Sequence, residues 1–172
     1  MSLHPPVSDQ DHSYGKNDAP IELVEYGDYE CPHCGRAYPI LKKLQQKMGD
    51  DLRFIFRNFP LGEMHPHAIM AAIASEAAAL QGKFWEMHDI IFEHQKNLSP
   101  QALFDFAETL KLDMPKFEHD VTQKALADKV EQHFESGMRS GVNGTPTFFI
   151  NGAKYEGSWE GDDLYEYLQS LV

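Results

Sequence analysis

The chain has 172 residues, enough for one hydrophobic core and short for two. Its composition, 42% hydrophobic and 24% charged, is that of a globular domain, and a formal net charge of -12 argues against non-specific binding to nucleic acid or anionic lipid. Nothing approaches 18 consecutive apolar residues, so no membrane insertion is expected.

Residues 1–19 are polar and rich in Pro, His and Asp, and read as an extended arm. They lack a basic region followed by an apolar run, so they do not have the form of a signal peptide. A cytoplasmic location is the expectation, with an extracytoplasmic one behind a removed signal as the alternative; Met1-Ser2-Leu3 also fits a cloning remnant. Ile21 to Tyr26 is a short apolar run that predicts a strand. Gly27-Asp28-Tyr29-Glu30 breaks it, and Cys31 opens a helix with Pro32 in the first turn, where its missing N–H costs nothing. Ile40, Leu41, Leu44 and Met48 recur at helical spacing, Gly49 ends the run, and Pro39 predicts a kink. Leu52 to Phe56 is the second strand.

The middle reads as helical. His65-Pro66 opens an alanine-rich run from Ala68 to Leu80, closed by Gly82, and Phe84 to Gln95 follows. Ser99 caps Gln101 to Leu110, with Pro100 at the first helical position. Met114-Pro115 starts a further turn and Val121 to Ser136 continues as helix. The period then changes to 2: Thr147 to Ile150, the turn Asn151-Gly152 and Ala153 to Glu156 form a hairpin signal. Asp162 or Asp163 caps a last helix through Leu164 and Leu168. The expected fold class is α/β, with a mixed central sheet, the first two strands parallel and the hairpin antiparallel. One domain over 20–172 carries a helical insertion at about 63–139.

The only two cysteines stand three apart in Cys31-Pro32-His33-Cys34. At a helix N-terminus the first-turn N–H groups lack intrahelical partners and the dipole favours negative charge, so a Cys31 thiolate is stabilised. His33 supplies a second donor, and a cation when protonated. Such a pair fits a dithiol that cycles with a disulfide, with Cys31 the exposed nucleophile and Cys34 the resolving thiol. The other reading is a non-catalytic module, redox-sensing or zinc-binding, with His65 and His67 as the nearest further ligands. Their spacing matches no common zinc site, and His65-Pro66-His67 reads first as a helix start. Asp28 and Glu30 read as solvated loop carboxylates that oppose the thiolate. Phe84, Trp85 and Met87 read as packing, and the Ala71 to Ala79 run as a closely packed helix.

The strand–helix–strand order, the Cys-Pro-His-Cys tetrapeptide, the helical block and Gly144-Thr145-Pro146-Thr147 before the hairpin resemble the DsbA-like branch of the thioredoxin superfamily. So do Glu25 to Cys31, Phe56 to Leu61 and Gln81 to His88, and the resemblance runs from about residue 18 to the end. It implies a thioredoxin fold and a protein thiol–disulfide oxidoreductase, its direction open, with protein or peptide thiols and disulfides as substrates. It implies no cofactor beyond the Cys31–Cys34 pair, and a redox-recycling protein or glutathione as electron partner. It implies a cis Thr145-Pro146 bond that sets Thr145 backbone groups beside the dithiol, where prototype oxidases often carry an apolar residue instead of Thr145. The Thr145 hydroxyl then faces the thiolate. It implies that Glu25 lies beneath the dithiol and moves a proton on or off Cys34. By pattern alone, Glu25 equally fits an outward carboxylate, or a partner of Arg53 or Arg57. Similar domains occur fused to the cytoplasmic end of bacterial sodium/proton antiporters, and Pro5-Pro6-Val7, Asp11-His12 and Gly15 resemble their opening.

Overall fold

A computed structural model describes residues 1–172. In chain order the elements are β1 (His12–Tyr14), β2 (Ile21–Gly27), α1 (Pro32–Met48), β3 (Leu52–Asn58), α2 (Ala68–Ala79), α3 (Phe84–Glu93), α4 (Pro100–Thr109), α5 (Met114–Asp120), α6 (Lys124–Arg139), β4 (Thr147–Ile150), β5 (Ala153–Lys154) and α7 (Asp163–Gln169). The five strands lie in the order β1-β3-β2-β4-β5. β2 and β3 are parallel, as a helical crossover requires, and the other pairings are antiparallel. The Asn151-Gly152 turn forms as expected, both residues at positive φ, and the Asn151 side chain accepts from the Glu22 N–H at 2.8 Å.

β2 is central and apolar on both faces, so its side chains divide by period 2. Ile21 and Leu23 join Leu41, Leu44, Leu164 and Leu168 under α1 and α7, whereas Val24 and Tyr26 meet Ile55, Phe59 and Phe149 on the far side. Glu25 shares the face of Leu23, the face beneath α1. α1 buries Cys34, Ala37, Leu41, Leu44 and Met48, the stripe of a half-buried helix, and runs unbroken through Pro39. Each large side chain of that stripe stabilises the fold by roughly 1.5–3 kcal/mol. The inserted helices close a third cluster around Tyr29, Phe56, Met87, Ile91 and Phe92, and it reaches Cys31 and Cys34.

The structure departs from expectation in local ways. The arm is not wholly free, because His12–Tyr14 adds an edge strand antiparallel to β3. Ser99 caps α4 through its hydroxyl, but neither Asp162 nor Asp163 caps α7 by side chain. Asp113 caps α5, a helix where Met114-Pro115 predicts only a turn, and α6 starts at Lys124 and ends at Arg139 instead of running from Val121 to Ser136.

The alanine-rich α2 hides a charge among its small residues. Glu76 is buried and accepts from His12 Nε2 at 2.9 Å, Asn58 Nδ2 at 3.0 Å and Lys129 Nζ at 2.8 Å. Burial raises its pKa, but the His12 hydrogen bond and the charges on His12 and Lys129 outweigh burial and lower it to about 2. A folded-state value below the unfolded one contributes stability above pH about 4.5, lost as pH falls toward 2. The difference is worth about 3 kcal/mol. Glu76→Leu is expected to lower the urea-unfolding free energy at pH 7 by roughly 3 kcal/mol, and to remove much of the acid sensitivity between pH 4.5 and 2.5. An unchanged pH profile would show that Glu76 is not the group responsible.

Candidate active site: a dithiol at a helix N-terminus

Cys31 is the N-cap of α1, in extended backbone at φ -70° and ψ 123°, with Pro32 at the first helical position. Both thiols are free. Cys31 retains 4% of its surface and Cys34 none, so an attacking or attacked group can reach Cys31 alone. The expected exposure of Cys31 is therefore a narrow opening.

The Cys34 thiol beside it, above all, lowers the Cys31 pKa to about 5; burial opposes, and the Thr145 side chain and the backbone N–H groups of Cys34 and His33 assist. Burial, and after it the hydrogen bond given to Cys31, pushes the Cys34 thiol well above its usual value. The backbone N–H of Asp28 lies 3.5 Å from Cys34 Sγ. His33 assists the thiolate through its own backbone N–H, while its exposed imidazole accepts from Arg36 Nη1 at 3.1 Å.

The Thr145-Pro146 bond is cis. Cys31 Sγ–H points to the Thr145 carbonyl oxygen at 3.6 Å, and the Thr145 hydroxyl is buried with no partner, a donor available to a thiolate. The Thr147 hydroxyl bonds the Gly144 carbonyl at 2.7 Å and so closes the loop that presents Pro146.

Glu25 is 1% exposed, and one carboxyl oxygen has no hydrogen-bond partner. Burial, with the Cys31 charge as a smaller cause, raises its pKa to about 8. The cations considered for it lie elsewhere: Arg53 faces Glu22 at 3.8 Å, and Arg57 pairs with Asp11 at 2.8 Å. Residues 22 and 25 project to opposite faces, which is why Arg53 reaches Glu22.

The loop carboxylates are paired within the protein, Asp28 fully buried and Glu30 partly so. Asp28 is buried and accepts from the Glu30 N–H at 2.8 Å, the Leu61 N–H at 2.9 Å and His65 Nδ1 at 2.7 Å. Glu30 accepts from the His67 N–H and from His67 Nδ1, both at 2.9 Å. Through their Nδ1 atoms His65 and His67 thus tie the loop before α2 to the loop before Cys31. Burial lowers the pKa of His65, but the hydrogen bond and charge of Asp28 outweigh that and raise it, with the Cys31 and Glu30 charges adding.

Cys31, His33, Cys34, Thr145 and Pro146 thus come together at this place, with Glu25 buried beneath it. Gln95 was missed: its side chain reaches the loop from the end of α3, and nothing local in the sequence signals that.

A family model described as Thioredoxin matches residues 7–170. The Na(+)/H(+) antiporter NhaA 3 of Salinispora tropica is 43% identical over 165 residues, which is 95% of this chain and 25% of that protein. The Na(+)/H(+) antiporter NhaA of Herminiimonas arsenicoxydans is 40% identical over 171 residues, 99% of this chain and 27% of its own. The chain spans about a quarter of the length of the curated relatives it matches. Among solved structures, oxidised BdbD from Bacillus subtilis superposes with a TM-score of 0.86 at 26% identity, over 99% of this chain and 97% of its own. The α-DsbA1 of Wolbachia pipientis reaches 0.83 at 22% identity, a likeness of fold, over 96% and 92% of the two chains.

Proposed function

The chain belongs to the thioredoxin family, with a DsbA-like fold, and from that premise we propose that it exchanges protein dithiols and disulfides through a mixed disulfide at Cys31. The observation that supports this most is the contrast within the pair: Cys31 is reachable with its pKa lowered to about 5, while Cys34 is sealed and its thiol held protonated.

In the reductive direction the Cys31 thiolate attacks a substrate disulfide. A Cys31–substrate S–S bond forms and one substrate thiolate leaves. Cys34 then loses its proton to Glu25 in its ionised form and attacks Cys31 Sγ. The Cys31–Cys34 disulfide forms, the second substrate thiolate leaves, and two electrons have passed to the substrate. The same steps reversed oxidise a substrate dithiol. Glutathione or a protein dithiol resets the pair, and the dithiol itself is the redox centre, with no organic cofactor in the scheme.

A cytoplasmic setting is part of this proposal, resting on the resemblance to domains fused to antiporters. No helix is long and apolar enough to cross a membrane, and the ion exchange in the relatives' names is not assigned to this chain.

Insulin reduction by dithiothreitol tests the reading. The protein is expected to accelerate it, and to lose exactly two titratable thiols per chain when oxidised with glutathione disulfide. Retained zinc together with no acceleration would replace this reading with the metal-binding one.

A further inference from the structure

One side chain of the inserted helical block touches the backbone of the dithiol loop. Gln95 sits on the turn that follows α3. Its Nε2 donates to the carbonyl of Cys31 at 2.7 Å and to that of Tyr29 at 3.0 Å. The Tyr29 side chain is locked against Phe56 and Phe92, so the loop is held on both sides of Glu30. The Cys31 carbonyl also accepts from the Gly35 N–H at 3.0 Å, the bond that starts α1.

Gly35 faces the same carboxamide. A Cβ built there would overlap Gln95, and the three nearest atoms it would meet all belong to that side chain. The absence of a side chain just after Cys34 is therefore explained by Gln95 and not by backbone conformation, because Gly35 lies within regular helix.

We propose that Gln95 is a positioning residue for the dithiol: it holds the Tyr29 and Cys31 carbonyls so that Cys31 keeps the extended N-cap conformation from which its sulfur faces the open end of α1. The inference rests on the proposed redox role of Cys31, and it adds a specific demand. Rotation of the Cys31 backbone, which a single lost donor permits, swings Sγ away from the His33 and Cys34 N–H groups. The helical block, through this one contact, then takes part in setting the chemistry of a thiol carried by the sheet–helix core.

The test reads the thiol directly. Gln95→Met keeps length and neutrality and removes both donors, and Gln95→Ala also empties the space over Gly35. Alkylation of Cys31 by iodoacetamide is followed against pH in the reduced protein. Both variants are expected to raise the titration midpoint by about one pH unit. A lowered melting temperature with an unmoved midpoint would make Gln95 a mere tether and overturn the proposal. Gly35→Ala is expected to lower the melting temperature of the wild type and to be nearly neutral in the Gln95→Ala background. An equal loss in both backgrounds would also overturn it. A wild-type protein that titrates early yet leaves insulin untouched would sink the proposed function while leaving the role of Gln95 standing.

Discussion

Replacing Cys31 by serine is expected to return insulin reduction to the uncatalysed rate, because no second thiol is reachable. Cys34 has no exposed surface and its pKa is raised by burial and by the hydrogen bond it gives Cys31. Cys34→Ser should behave differently. It still lets Cys31 attack, then leaves the mixed disulfide unresolved, so Cys31–substrate adducts accumulate on non-reducing gels. Cys34→Ala separates two roles of the second cysteine. The Cys34 thiol is the largest contributor to the lowered Cys31 pKa. Serine retains an O–H donor there and alanine does not. Alanine should therefore both trap substrate and raise the Cys31 midpoint, whereas serine chiefly traps. If Cys31→Ser protein reduces insulin at the wild-type rate, the assignment of the nucleophile is wrong.

The second large effect belongs to Glu25. Its folded-state pKa, about 8, lies above the unfolded value of 4.5, so the fold favours the neutral acid. That contribution to stability is fully present below pH 4.5 and is lost as pH rises through 8. The charged form costs on the order of 5 kcal/mol in this site, since nothing pairs with it. Glu25→Gln has no charge to bury, and is expected to be more stable than the wild type at pH 9 by several kcal/mol, with a much smaller difference at pH 4. The same substitution removes the proton acceptor for Cys34. Release of the mixed disulfide in single-turnover experiments should slow by roughly a hundredfold, the lower end for a lost general base. Formation of the mixed disulfide at Cys31 should be little changed. A Glu25→Gln variant that releases substrate at the wild-type rate would remove Glu25 from the mechanism. A stabilising substitution that slows turnover is the signature of a group kept for chemistry at a cost to the fold.

Legibility in the sequence followed the range of the interactions. The dithiol, the helix it caps, the parallel strand pair and the Asn151-Gly152 hairpin rest on local spacing and turn chemistry, and each formed within two residues of its expected bounds: β3 runs on from Phe56 to Asn58 and β5 stops at Lys154 instead of Glu156. The cis bond before Pro146 came from the family resemblance, because local preference alone favours trans. What escaped is nonlocal and polar. His65 and Asp28 are 37 positions apart, as are His67 and Glu30, so the loop carboxylates looked solvated until the fold joined them. Glu76 and His12 are 64 apart, and His12-Ser13-Tyr14 has no apolar alternation to announce a strand. Arg53 found its acid on the far face of β2 and Arg57 on the arm for the same reason. Gln95 is one more polar residue at a helix end until its two carbonyl partners arrive from 64 and 66 positions earlier.

The ionisation of Cys31 tests the account most directly, since exchange, resolution and the positioning by Gln95 all depend on it. Thiolate absorbance or alkylation rate of the reduced wild-type protein, followed from pH 3.5 to 9.5, should show Cys31 titrating near pH 5 while Cys34 remains protonated. A Cys31 midpoint near 8.5, that of an ordinary thiol, would contradict an activated nucleophile at the end of α1.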